Sequence, residues 1–182
     1  MQPRRGEYFS MISAAPVDLT VKARYSDDAD AMFDRARSFA DLIEATRRIS
    51  RYDRLPAEDM EPGRTYETDI RIFGMFRSPD YQIRVDALCD ETRRIETSEG
   101  GKGVRSWRHV LEVHPDGSGS VWIDRVTIDA GAMTPVIARY ARFMYRHRHT
   151  HRRALEISAS LRPACRPANS DLPIFHPVDH RS

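Results

Sequence analysis

Two residues in the last third of the chain, His109 and Asp124, have side chains suited to proton chemistry. Each sits in a stretch that alternates apolar and polar residues. His109 falls in step with Trp107, Leu111 and Val113, and Asp124 with Trp122, Val126 and Ile128. A period of two puts each set on one face of a strand. Between them Asp116-Gly117-Ser118-Gly119 has the glycines that a hairpin connection needs. If that turn sets Val113 opposite Trp122, the two faces coincide and His109 and Asp124 become diagonal neighbours. A slip of one residue would put them on opposite faces. An imidazole beside a carboxylate can act as a general base or orient a polar group of a ligand. The competing reading is a structural pair, each partner satisfying the other inside an apolar sheet. No serine or cysteine nearby has the context of a nucleophile, so covalent catalysis has no support.

Large side chains with polar tips recur around this pair. Tyr66, Tyr81, Trp107, Trp122 and Tyr140, with Ile70 and Met144, suit the wall of a pocket for an aromatic or amphipathic molecule. They suit ordinary core packing as well. The segment from Arg139 to Arg153 is crowded with Arg and His. His147 and His151 have a helical spacing that can hold a metal, but no carboxylate or cysteine accompanies them, and no metal or other cofactor is expected. The arginines read as the solvated face of a helix, with a protein partner as the sharper alternative.

The elements that carry these residues follow from patterning. Val17 to Tyr25 alternates as a strand. Ser26-Asp27-Asp28 supplies a helix cap, and Ala29 to Arg37 follows as a short helix. Ser38 can cap a second short helical piece through Ile43, one bent helix being the alternative. Strands are expected over Thr46 to Leu55, Arg64 to Phe73, Tyr81 to Ala87 and Thr92 to Ser98, with turns at residues 56–63 and 74–79. The last of these strands is polar and reads as an edge. After the glycines at 100–103 come the two strands of His109 and Asp124. One long amphipathic helix runs from about Ala132 to Leu155, with Met133, Val136, Ile137, Tyr140, Met144, His147 and Leu155 near one face. Pro135 sits harmlessly in its first turn.

Composition bounds the rest. The 182 residues carry a formal net charge of +2, which gives no support to nucleic-acid binding. Of the 29 basic residues only Lys22 and Lys102 are lysine, a bias that a GC-rich genome explains. Cys89 and Cys165 lack metal or disulfide spacing. No apolar run reaches the ~20 residues of a transmembrane helix. The N-terminus lacks the apolar stretch of a signal peptide, so a cytoplasmic protein is expected, with Met11 as the alternative start. Residues 1–15 are expected to be a disordered extension, 16–160 a single domain, and 161–182 a disordered proline-rich tail.

Strands in series followed by one long helix indicate an α+β fold with a curved antiparallel sheet of about six or seven strands. The order of elements resembles the SRPBCC superfamily, the START-like and birch-pollen-allergen-like helix-grip proteins. Local wording agrees: Trp107-Arg108-His109, then Trp122, Asp124-Arg125-Val126, and Gly131 before the helix. This looks like the bacterial polyketide cyclase and lipid-transport-like group, although Ile123 stands where threonine usually precedes the Asp-Arg-Val. The resemblance implies a pocket between sheet and helix and no particular reaction. Together these readings point to binding of a hydrophobic or aromatic small molecule rather than catalysis. An aromatase/cyclase-type enzyme using His109 and Asp124 is the first alternative, and an interaction module using the arginine-rich helix the second.

Overall fold

The computed structural model describes residues 14–160, with side chains as far as Ala154. The expectations for the N-terminal extension, for Cys165 and for the tail lie outside these residues. Seven strands form one antiparallel sheet: β1 (Val17–Tyr25), β2 (Ser50–Asp53), β3 (Thr65–Ile72), β4 (Phe76–Cys89), β5 (Arg94–Gly101), β6 (Val104–Asp116) and β7 (Gly119–Asp129). Their order across the sheet is β1-β7-β6-β5-β4-β3-β2. Between β1 and β2 lie the helices α1 (Ala29–Ala36) and α2 (Phe39–Thr46). A short 3-10 turn (Gly131–Met133) leads into the long helix α3 (Thr134–Ser160). The sheet curls around α3.

Local chemistry accounts for these elements. Every second residue of β1 from Leu19 to Tyr25 is buried, as its alternation demands. Asp28 caps α1, its carboxylate accepting the Ala31 N–H at 2.9 Å. Ser38 gives α2 no side-chain cap. Its backbone instead bridges Asp59, and the Phe39 N–H bonds the Glu58 carbonyl, so α1 and α2 are two helices. At the β6–β7 hairpin Val113 faces Trp122 and Asp116 faces Gly119, the register expected from the turn.

Four expectations need correction. β2 is only four residues long. β5 lies between β4 and β6 rather than at an edge. Its polarity serves cross-strand pairs such as Arg94 with Glu112 and Ser98 with Asp86. The turn assigned to 74–79 is shorter, because Phe76 to Pro79 already belong to β4. Pro79 is tolerated at an irregularity where the register shifts between Thr68 and Ile70. There Asp80 takes a φ of 52°, and its N–H is accepted by the Asp69 carboxylate.

The fourth correction concerns α3. Its buried stripe is Ala138, Ala141, Met144, Tyr145, Arg148, His149 and Arg152, whereas Met133 and Val136 are exposed. The helix is rotated from the orientation that apolar residues alone suggest. Two of the six arginines between 139 and 153 are therefore core residues.

Gly119 opens β7 against β1. A Cβ there would lie 2.2 Å from the Tyr25 carbonyl oxygen. Gly119→Ala should therefore destabilise the fold by about 1–3 kcal/mol, the range for overpacked sites. Gly117→Ala, which meets no neighbour and suffers only its φ of 64°, should lose less. Urea unfolding of both variants checks the order.

Candidate functional site

The hairpin register brings His109 Nε2 within 2.8 Å of Asp124 Oδ1. The Trp122 indole N–H donates to the same oxygen at 3.1 Å. The second oxygen, Oδ2, meets His149 Nε2 of α3 at 2.8 Å, and His149 Nδ1 meets the Tyr25 hydroxyl at 2.6 Å. One arrangement of protons satisfies every member: both imidazoles donate from Nε2, and the Tyr25 O–H donates to Nδ1. The chain of bonds crosses β1, α3, β7 and β6. Burial opposes the charge of Asp124, but the N–H donors of His109 and His149 outweigh it and hold the carboxyl well below its usual range. His149 is pushed below the ordinary imidazole value by burial, with Arg152 and Arg148 adding to the shift against the pull of Asp124. Burial raises the Tyr25 hydroxyl to about 12.

In front of this network lies a cavity of about 360 Å³ between sheet and α3. Ile70, Tyr81, Ile83, Ile95, Trp107 and Leu111 line the sheet side, and Ile137, Tyr140, Met144 and Tyr145 the helix side. Phe39, Leu42 and Tyr52 close it beneath α2 and β2. Polar groups are few. His109 presents its ring, whose Nδ1 is the acceptor left when Nε2–H is committed to Asp124. Glu99 accepts the Tyr81 hydroxyl at 3.1 Å and the Thr97 hydroxyl at 2.9 Å. Ser50 and Tyr140 join their hydroxyls at 2.9 Å. Burial pushes the Tyr81 and Tyr145 hydroxyls well above the usual phenol value, so both stay neutral.

Of the residues singled out in the sequence, Ile70, Tyr81, Trp107, His109, Tyr140 and Met144 line the cavity. Trp122 and Asp124 do not: they are fully buried behind His109. Tyr66 is elsewhere. Its ring packs edge-on against Phe39 at 4.6 Å, its hydroxyl accepts the Glu61 N–H, and Arg64 stacks over it. His147 and His151 have nearly parallel rings 6.5 Å apart, and His151 Nε2 lies 3.4 Å from Glu44.

Sequence reading missed Tyr25, His149, Arg148, Tyr145, Thr97 and Glu99. A signal existed for the last two, which share the parity of Ile95. None existed for His149, which sits in a run of basic residues.

No family model and no curated protein matches the sequence. Solved structures do match. The crystal structure of Ara h 8.0201 superposes with a TM-score of 0.55 at 10% identity, over 75% of this chain and 97% of that one. Protein CV1439 from Chromobacterium violaceum gives a TM-score of 0.61 at 12% identity, over 76% of this chain and 95% of that one. The fold is the helix-grip of the birch-pollen-allergen type. At such identities the likeness carries the architecture alone. Among the described residues no helix of this helix-grip protein is long and apolar enough to cross a membrane.

The arginines of α3 divide by burial. Arg139, Arg142, Arg146 and Arg153 are exposed. Arg152 is 1% exposed, bonds Asp41 of α2 through two guanidinium nitrogens, and lies 4.4 Å above the Trp122 ring. Arg148 is 7% exposed. The expectation that all these heads are solvated fails for these two, because α3 turns them inward with His149.

Two predictions follow from this geometry. Arg152→Gln should lose about 2–3 kcal/mol, since it removes charge-assisted hydrogen bonds to Asp41, which keeps Arg35 as its other partner, and empties one face of Trp122. Arg146→Gln should stay within about 0.5 kcal/mol. Chemical unfolding separates the two. The second concerns pH. His149 binds its proton more weakly folded than unfolded, so the unfolded chain takes up the extra proton first as pH falls below ~6.5. Stability is complete above that value and is lost as pH drops through the folded pKa of His149. Melting temperatures should fall between pH 7 and 5 in the native protein and fall less in His149→Gln. Parallel curves for the two would remove His149 from this account.

Proposed function

We propose that the protein binds a hydrophobic or aromatic small molecule in the cavity between the sheet and α3. The observation that carries this reading is the lining. About 360 Å³ of space is walled by aromatic and aliphatic side chains, with a few polar groups at set positions. Sites that enclose small organic ligands have this size and character. Trp107 is the broadest apolar surface of the wall, and Tyr81, Tyr140 and Met144 face the same space. Carriers and receptors need such an enclosure and no reactive group.

A second reading has one specific observation in its favour. His109 lines the cavity while its far nitrogen is held by a buried carboxylate. That arrangement orients an imidazole as a general base, with Asp124 acting only as its positioning residue. An aromatase/cyclase-type reaction would use it. The same pair also works as a structural bond between β6 and β7, and for that reason binding is the preferred reading.

Native mass spectrometry of gently purified protein tests both readings, because a retained small molecule gives its own mass. With that molecule in hand, Trp107→Ala should weaken its binding by about tenfold, the equivalent of ~50 Å² of lost apolar contact. Tyr66→Phe, away from the cavity, should leave it unchanged. His109→Ala then separates the readings. Under binding alone affinity changes and no product forms with either protein; under catalysis the native protein turns the molecule over and the variant does so about 10²-fold more slowly.

A further inference from the structure

Arg148 stands apart from every other charged group of the core. It lines the cavity and is 7% exposed, yet none of the described residues forms an ion pair or hydrogen bond with it. Its Nε is buried without an acceptor. The centre of the Tyr145 ring lies 5.1 Å from the Arg148 guanidinium carbon. Arg152, one turn further along α3 and just as buried, is paired with Asp41. The carboxylates within reach of the region are already engaged. Asp124 is taken by His109, His149 and Trp122, Asp41 by Arg152 and Arg35, and Glu99 by Tyr81 and Thr97. An unpaired cation in a low-dielectric site is expensive by several kcal/mol, so it persists where it has a use.

We propose that Arg148 is the anion-binding residue of the cavity and that its ligand is an apolar monoanion, a ring- or chain-bearing carboxylic or sulfonic acid. The proposal rests on the small-molecule reading above and narrows its ligand. A planar guanidinium accepts such a group in a two-pronged bond, which a lysine could not reproduce. Burial opposes the charge of Arg148, but the Asp124 carboxylate, with Asp41 adding to it, works against this, and a guanidinium stays protonated. The Tyr52 and Tyr145 hydroxyls beside it are raised by burial, so neither becomes its counter-ion. Position agrees. Lys102, Gly103 and Met133 are the exposed residues of the lining, and Met133 precedes Ile137 by one turn of chain. Arg148 is eleven residues further along α3, roughly 16 Å at the helical rise. The acidic group would thus lie about three turns of α3 away from those exposed residues, at the buried Arg148, while the apolar body lies along Trp107, Tyr140 and Ile70. Glu99, on the sheet side of the same cavity, selects against a second acidic group.

Two probes isolate the charge, because 1-anilinonaphthalene-8-sulfonate and N-phenyl-1-naphthylamine share their rings and differ by one sulfonate. Fluorescence titration of the full chain should give at least tenfold tighter binding of the sulfonate. Arg148→Met should weaken the sulfonate at least tenfold and leave the neutral amine within threefold. Arg148→Gln makes the same comparison if circular dichroism shows the methionine variant unfolded. Arg146→Gln, on the exposed side of α3, should change neither probe. Equal affinity of the native protein for both probes, or equal loss of both in the Arg148 variants, would overturn the anion site while leaving the cavity reading intact. Loss of the preference in Arg146→Gln would move the anion to the outer surface and overturn it too. Failure of the native protein to bind either probe would remove the small-molecule reading itself, and this proposal with it.

Discussion

A carboxylate with 1% exposure at the centre of a sheet constrains everything around it. Asp124 cannot keep its charge there without donors on both oxygens. Two come from the sheet, His109 of β6 and Trp122 of β7 itself. The third has to come from the helix side, and His149 supplies it. That bond fixes the rotation of α3 about its own axis. Once His149 points inward, Tyr145 four residues before it and Arg152 three residues after it share its face. Arg148 beside it is drawn inward as well. Tyr25 completes the set from β1, so the network reaches the outer strand of the sheet.

The cavity follows from how α3 then lies. The helix packs mainly on β1 and α2, and within the sheet on β1 and β7, where Ala138 and Ala141 allow close approach next to Leu19, Val21 and Val126. Small residues on that side bring the helix near one flank of the curled sheet. Tyr81, Ile83 and Ile95 of β4 and β5 then face space rather than helix. The helices α1 and α2 fill one end with Met32, Phe33 and Phe39 and leave the middle unfilled. Close packing on one flank and an open volume on the other are two results of a single helix spanning a broad sheet. The polar groups left in that volume, above all His109, Glu99 and Arg148, give it its chemical character.

The surface arginines play a smaller part. Arg94 and Arg125 converge on Glu112, and Arg54 and Arg77 on Asp69, binding neighbouring strands across the outer face. The arginines of these pairs are half exposed, so each pair contributes modestly, although the shared carboxylates Asp69 and Glu112 are largely buried. Their cross-strand placement explains why a strand as polar as β5 can lie mid-sheet: its outward side chains find partners rather than solvent alone.

The sequence by itself determined the order of the strands and offered the hairpin register in which His109 meets Asp124. Alternation and glycine-containing turns are local signals, and a register set by a short turn propagates along both strands. It determined also that one long helix must lie across the sheet. It did not determine which side of that helix is buried. Apolar residues were the guide, and they pointed to Met133 and Val136, which are exposed. The real stripe includes His149, Arg148 and Arg152, residues that read as a solvated face because their partners are absent from the local sequence. His149 meets Tyr25 from 124 positions away, and Arg152 meets Asp41 from 111. Only the tertiary structure joins such partners. A buried charge is stable only where distant groups converge on it, and one left without an ion-pair partner among the described residues, as Arg148 is, becomes visible only after the others have been paired.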